Sequence, residues 1–215
     1  MTNRFDLYTL VHKGQRRKLG ELINKAGAIG AEQAAERQAL VEDLLALLGA
    51  LAVHAEAEDR FIGPLLAECS AELNEHMHAA HHRVEGLMAE ARAQAGRAVA
   101  EPSPREDALL YRAICRLATF YFEHIDAEEH IGQPALWKRW DDGRLAAAQA
   151  DIIAAHEPHV VAYNLRCMLP AATPEERVGF LSGMKKRMPP PVFAGMRANV
   201  AALVAEHEWR AIDAA

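Results

Sequence analysis

Two short stretches of the chain, seventy residues apart, carry the same residues with metal-binding chemistry. Residues 54–64 read HAEAEDRFIGP and residues 124–134 read HIDAEEHIGQP, and in each a histidine is followed four positions later by a glutamate. Residues four apart lie on one face of an α-helix, so each copy presents an imidazole beside a carboxylate. Both groups are ligands for first-row transition metals. The paired residues are His54 with Glu58 and His124 with Glu128.

The segment before each copy contributes one further histidine in a matching register. His12 precedes the first copy, and His81 precedes the second at nearly the same seventy-residue offset. Tyr8 lies four positions before His12, and Met77 lies four positions before His81. The chain therefore repeats one arrangement, a helix with a single histidine followed by a helix with His-x-x-x-Glu.

The third helix carries four closely spaced histidines, at positions 76, 78, 81 and 82, and two assignments of its ligand are open. We predict His81, because it is in register with His12 and lies beside the apolar stripe of the helix. At about one hundred degrees per residue, His82 is turned a full step away from that stripe and His78 lies about sixty degrees off, on the same outward side. A rotated helix would instead bring His78 and His82 to the site together.

The helices that position these residues follow from the recurrence of apolar side chains every three or four positions. Long helices are predicted over residues 6–25, 71–95 and from 32 to beyond 64, with a fourth beginning at 104 and reaching 124. The sequence Ser103-Pro104-Arg105-Glu106 predicts an N-cap, a proline in the first turn and a capping-box glutamate. We therefore predict an all-α protein in which residues 1–140 form an up-down-up-down four-helix bundle.

The character of the chain changes at about residue 141. Shorter helical stretches and a higher density of prolines follow, and TPEE at residues 173–176 predicts another capped helix. We expect residues 141–215 to form a smaller helical appendage, which could act as a lid or as a contact between chains.

The repeated arrangement predicts a two-metal site, because a bundle with approximate twofold symmetry supplies each half of the site from one copy. Two shared carboxylates with histidines as terminal ligands suit non-haem iron, and zinc is a possible substitute because nitrogen and oxygen ligands do not exclude it. The predicted ligands are His12, His54, Glu58, His81, His124 and Glu128.

These residues resemble the hemerythrin-like, or HHE cation-binding, family over residues 1–140. The sequence Phe/Ile-x-x-Pro, which follows each acidic pair, adds to the resemblance. The C-terminal part of the chain is similar to an extension of some bacterial members, in the stretch RCMLPAATPEERVGFLSGM. The resemblance implies a four-helix bundle with a di-iron centre, bridging glutamates and terminal histidines. Respiratory hemerythrins have a histidine where this chain has Met77, so the resemblance is nearer to the mixed histidine–carboxylate, sensor-like members.

Several functions fit such a site. The first is binding or sensing of dioxygen, nitric oxide, redox state or iron. A second is an oxidase or peroxidase-like enzyme, which is less favoured because ferritin-like centres use Glu-x-x-His pairs and this chain has His-x-x-x-Glu. A reversible oxygen carrier, an iron store, and a purely structural bundle with hydrogen-bonded His–Glu pairs are the remaining alternatives.

Composition restricts the partners and the location. A net charge of −6 argues against nucleic acid as a partner, because a phosphate-binding face normally has a basic excess.

The sequence also gives expectations about membranes and the compartment. The first seventeen residues lack the apolar core of a signal peptide, and the apolar run at residues 44–53 is too short to cross a bilayer, so we expect no membrane partner. Three cysteines without CxxC spacing predict reduced thiols in the cytoplasm. The expected partners are a diatomic ligand and, through residues 141–215, another protein or a second copy of the chain.

Overall fold

The computed structural model describes residues 4–30 and 32–215, and within these residues it contains helices and turns but no strand. The protein is therefore all-α, as predicted. The helices are α1 (Thr9–Ala28), α2 (Ala34–Ala57), α3 (Gly63–Ala67), α4 (Ala71–Ala100), α5 (Pro104–Ala127), α6 (Gln133–Arg139), α7 (Asp142–Ala155), α8 (Pro158–Met168), α9 (Pro174–Arg187), α10 (Pro190–Val200) and α11 (Glu206–Ala214).

The chain divides into two compact units. The central unit comprises Lys18–Asp141, and the terminal unit comprises Met1–Arg17 together with Asp142–Ala215. Helix α1 begins in the terminal unit and ends in the central unit.

Four helices of the central unit share one apolar core, to which α1 contributes its second half and α2, α4 and α5 contribute one face each. Several leucines at the helical spacing are among the most completely buried residues, with at most 1% of their surface exposed. They include Leu19, Leu22, Leu44, Leu47, Leu110 and Leu117.

The helical stretch Ala34–Ala67 is long enough, and contains a window apolar enough, to cross a membrane by length and composition alone. Its leucines lie in the core of the central unit, and Leu40, Leu48 and Leu51 are each 1% exposed. The core helix of a water-soluble protein passes the same test, so this stretch is weak evidence for a membrane span.

Helix α4 is longer than the sequence predicted, because Gly96 does not end it. The helix continues to Ala100, and Ala95 and Ala98 are completely buried on its inward face. A Cβ at Gly96 would meet open space, so this glycine lies on the outer side. The weak helix propensity of one glycine is outweighed by the packing of the alanines on either side of it.

The start of α5 agrees with the prediction except for its glutamate. The Ser103 hydroxyl accepts a hydrogen bond from the Glu106 N–H at 3.2 Å, and Pro104 occupies the first turn. The predicted capping box is wrong, because the Glu106 carboxylate instead accepts a hydrogen bond from the Gln94 amide at 2.7 Å. A buried carboxylate is better satisfied by this neighbouring helix than by its own N-terminus.

A buried ion pair joins α2 and α5. Arg37 Nε donates to Asp107 Oδ1 at 2.6 Å and its Nη2 donates to Asp107 Oδ2 at 2.7 Å. Only 2% of Arg37 and 7% of Asp107 are exposed. The two residues are seventy positions apart, the same offset as the repeated stretches. Equivalent positions of the two copies therefore carry opposite charges and pair with each other.

The terminal unit has its own apolar core, formed by α8 to α11. Arg177 connects its elements by donating to Glu208 on α11 at 2.7 Å and to the Ala172 carbonyl at 2.7 Å. The hydrogen bonds from Arg177 hold the pKa of Glu208 below its ordinary value, although burial opposes this. The predicted capping box of Thr173 with Glu176 is confirmed at the start of α9.

The first residues of α1 also lie in the terminal unit, where they approach α8 closely. A Cβ at Gly14 would lie 2.9 Å from backbone atoms of Cys167 and Met168, so only glycine fits at this position. Lys13 donates to Glu176 of α9 at 2.5 Å. The beginning of α1 is thus tied to the C-terminal helices of its unit.

Candidate metal centre

In both repeated stretches the helix widens at the glutamate. Helix α2 continues into a π-helical segment at Glu58–Ile62, and α5 continues into one at Glu128–Gly132. The Gly63 N–H donates to the Glu58 carbonyl, and the Gln133 N–H donates to the Glu128 carbonyl. These bonds span five residues instead of four, and such segments are frequent at functional sites because they redirect a side chain.

The helical periodicity did not predict these π segments, although the sequence carries a signal for them. A proline, Pro64 or Pro134, follows two positions after each segment. Proline lacks the N–H that a regular helix needs and crowds the carbonyl one turn earlier. A wider turn before the proline accommodates both effects while the helix continues.

Two glutamates and two histidines converge inside the central unit. Glu58, His81, His124 and Glu128 each offer a ligand atom, and these atoms all lie within 4.8 Å of one another. The four residues are between 2% and 6% exposed. His81 Nε2 lies 3.4 Å from Glu58 Oε2 and 3.6 Å from Glu128 Oε1, so one imidazole faces the carboxylates of both copies.

The two His–Glu pairs have nearly the same geometry. His54 Nε2 lies 3.2 Å from Glu58 Oε1, and His124 Nε2 lies 3.4 Å from Glu128 Oε1. Each histidine belongs to the last turn of its helix, and each glutamate opens the π segment that follows. The repeat seen in the sequence is therefore also a repeat in local structure.

Among the four histidines of α4, at positions 76, 78, 81 and 82, only His81 is buried. Its side chain is 5% exposed, whereas those of His78 and His82 are 53% and 63% exposed. The ring of His81 packs edge-on against the ring of His124, with their centroids 4.6 Å apart. The helix is therefore not rotated so as to bring His78 and His82 to the cluster.

His12 lies in the terminal unit, on α1. It is completely buried, and the ring of Tyr8 stacks against it with the centroids 5.5 Å apart. Its role as a metal ligand remains a prediction that depends on its register with His81.

Asp59 orients His81 and was missed by the sequence analysis. Its Oδ1 lies 2.8 Å from His81 Nδ1. An ionised carboxylate only accepts, so Nδ1 carries the hydrogen and Nε2 faces Glu58 and Glu128. A carboxylate behind a ligand histidine fixes its tautomer and strengthens it as a ligand. The signal was the acid directly after Glu58 in AEAED, whose partner lies on another helix and is not visible in the spacing.

The surroundings of His81 favour its protonated form in the metal-free protein. Burial lowers the pKa of the imidazole, but the hydrogen bonds and charges of Glu128 and Glu58 outweigh burial and raise the pKa of His81 to about 11. A metal ion that binds at Nε2 must therefore displace a proton, as is general for histidine ligands.

The donor set fits a resident divalent metal. Two buried carboxylates close together repel each other and are costly to bury unless cations compensate them. The imidazole nitrogens and carboxylate oxygens lie within 4.8 Å of one another, so they could ligate a common ion or ion pair. The positive charge of that metal would compensate the carboxylates. Glu58, His81, His124 and Glu128 would hold the metal, with His54 beside Glu58 on the same helix.

We expect replacement of Asp59 by alanine to weaken metal binding by about 10- to 100-fold, because His81 would lose the partner that fixes its ring. The affinity is measured by competition with a chromophoric chelator. Asp126→Ala is the matched control, since Asp126 pairs with an exposed histidine, His130, at 3.1 Å. Equal affinities in the two variants would show that Asp59 does not act through His81.

A groove of about 330 Å³ borders the cluster and is lined by residues of α4 and α5. Its lining includes the buried residues His124 and Met77, and Arg83 lies over the ring of Phe120 at 3.7 Å. The groove therefore leaves space for a small molecule next to His124, one of the clustered histidines.

An all-α scaffold with a buried histidine–carboxylate cluster, built from two copies of one sequence pattern, defines a helical metal-binding protein. The family described as hemerythrin HHE cation binding domain matches residues 3–136, and the chain belongs to this family. Neither the curated proteins nor the solved structures gave a significant match.

Proposed function

We propose that this protein holds a non-haem di-iron centre and uses it to bind or sense dioxygen, nitric oxide, or the redox or iron state of the cell. The observation that carries the proposal is the buried cluster in which the carboxylates of both copies face a single imidazole, that of His81. Two equivalent half-sites meeting at shared carboxylates suit two metal ions. Bound iron would supply electron exchange and a coordination position for a small ligand.

The proposed ligand set is that of the repeated pattern, with Glu58 and Glu128 as bridges and histidines as terminal ligands. His12 is included in this proposed set because its position relative to the first copy matches that of His81 relative to the second. We further propose that residues 1–140 form the hemerythrin-like four-helix domain with up-down-up-down order, and that residues 141–215 form an extension that contacts another protein or a second copy. The three thiols, Cys69, Cys115 and Cys167, suit a reducing compartment such as the cytoplasm.

The groove beside His124 is compatible with a small ligand reaching the cluster. Its volume of about 330 Å³ is at the lower end of the range for small-molecule sites. Met77, Phe120 and His124 are among its lining residues, so a diatomic molecule has room next to a proposed ligand.

The experiment that tests the proposal is metal analysis of protein purified anaerobically from iron-supplied cells. We expect about two iron ions per chain, because two half-sites converge. On exposure to air or nitric oxide, the absorption spectrum should gain charge-transfer bands. The double variant His81→Ala/His124→Ala serves as the metal-free reference. A wild-type metal content near zero would contradict the metal site, and a metal-loaded protein with an unchanged spectrum would contradict gas or redox sensing.

A further inference from the structure

The exposed face of α4 carries a second pair of histidines, outside the buried cluster. His78 and His82 lie one helical turn apart, and their Nε2 atoms are 3.1 Å from each other. The rings are nearly perpendicular, at 73°, with centroids 4.5 Å apart. Both side chains are more than half exposed, so a solvated ion can reach them.

The hydrogen bonds of the two rings determine what their facing nitrogens can do. His78 Nδ1 lies 3.1 Å from Asp59 Oδ2, and His82 Nδ1 lies 3.1 Å from Glu85 Oε2. Each carboxylate only accepts, so both Nδ1 atoms carry hydrogens. Two neutral rings would therefore point the lone pairs of their Nε2 atoms at each other, and only a shared proton or a cation removes this repulsion.

The distance between the two Nε2 atoms matches that of a metal chelate. Two imidazole nitrogens bound at 2.0–2.1 Å, with an angle of about 90–110° at the metal, lie about 2.8–3.4 Å apart. The observed 3.1 Å falls in this range. We propose that His78 and His82 form a second, surface site for a divalent late first-row metal such as Cu²⁺, Ni²⁺ or Zn²⁺, for which imidazole is a preferred ligand.

The surface site and the buried cluster share one carboxylate but use different histidines. Asp59 accepts from His78 with Oδ2 and from His81 with Oδ1. It therefore orients one ring towards solvent and the other towards the interior. The surface pair can be removed without deleting any residue of the buried cluster, which makes the two sites separable by mutation.

The test is a Cu²⁺ titration of the full-length, iron-loaded protein, followed by electron paramagnetic resonance of the bound copper. The wild type should bind one Cu²⁺ with two nitrogen ligands. His82→Ala and His78→Ala should each bind it at least about ten-fold more weakly, because a chelate becomes a single ligand. His130→Ala is the matched control, an exposed histidine that also contacts a carboxylate, and should titrate like the wild type. Iron content should be unchanged in the His82→Ala variant.

Two results would overturn the proposal. If His82→Ala binds Cu²⁺ as tightly as the wild type, the copper lies elsewhere. If His78→Ala and His82→Ala lose iron while His81→Ala retains it, the pair belongs to the iron site. If the wild type holds no iron, the copper titration is made on the His81→Ala/His124→Ala background, whose buried cluster has lost both imidazoles, so that the bound copper still reports on His78 and His82. A failure of the di-iron proposal would then be seen in the wild-type metal content alone.

Discussion

Replacing Glu58 or Glu128 by alanine is expected to remove nearly all metal. If the proposed centre holds about two ions per chain, the content should fall well below one, because each glutamate would, as a bridge, contribute to two coordination spheres. The two carboxylates lie 3.4 and 3.6 Å from the same nitrogen of His81, so each loss disturbs the environment of both half-sites. Metal content is measured by mass spectrometry on proteins purified in parallel, with helicity checked by circular dichroism.

The matched control for this experiment is His156→Ala. His156 lies in the terminal unit, where its Nδ1 contacts the Ile152 carbonyl at 2.5 Å, and it has no place in the repeated pattern. It should retain the metal content of the wild type. Equal metal content in Glu58→Ala, Glu128→Ala and His156→Ala would contradict the assignment of the glutamates as ligands.

Replacing Arg37 by alanine is expected to lower the free energy of unfolding by about 3 kcal/mol, because Asp107 would be left as a buried charge without its partner. A loss of about 3 kcal/mol is at the lower end of the range for removing one partner of a buried ion pair. We choose the lower end because Arg37 lies in the first turn of α2 and not in its middle. Asp107→Ala should have a similar effect. Urea denaturation followed by circular dichroism measures both.

An exposed pair of the same length is the control for this prediction. Lys25 and Asp43 are 2.6 Å apart, as are Arg37 Nε and Asp107 Oδ1, but the Lys25 side chain is 53% exposed. Lys25→Ala should cost at most about 1 kcal/mol. The double replacement Arg37→Met/Asp107→Leu should recover most of the loss, since an apolar pair can substitute for a buried ion pair. Equal losses in Arg37→Ala and Lys25→Ala would show that burial does not strengthen this pair.

The Arg37 variants should keep their metal. Arg37 precedes His54 by seventeen residues on one helix, which corresponds to about 25 Å at 1.5 Å per residue. The ion pair therefore connects the two copies far from the metal ligands. Stability and metal content can thus be measured as independent properties of the same central unit.

The local features of this protein were determined by its sequence. The recurrence of leucines predicted helices, because a helix face is set by residues three and four apart. The His-x-x-x-Glu spacing placed His54 beside Glu58 and His124 beside Glu128, and these pairs are 3.2 and 3.4 Å apart. The seventy-residue repeat also indicated the hemerythrin HHE family. The match of that family to residues 3–136 confirms this prediction. Each of these inferences depends on residues that are neighbours along one helix.

Tertiary structure alone decided which groups from different helices meet. The pairing of Arg37 with Asp107, the contact of Asp59 with His81, and the continuation of α4 past Gly96 all depend on side chains brought together by packing. A carboxylate in the sequence carries no indication of which distant donor it will accept from. The π segments at both glutamates are intermediate, because Pro64 and Pro134 are visible in the sequence whereas the wider turn before each proline is seen only in the structure.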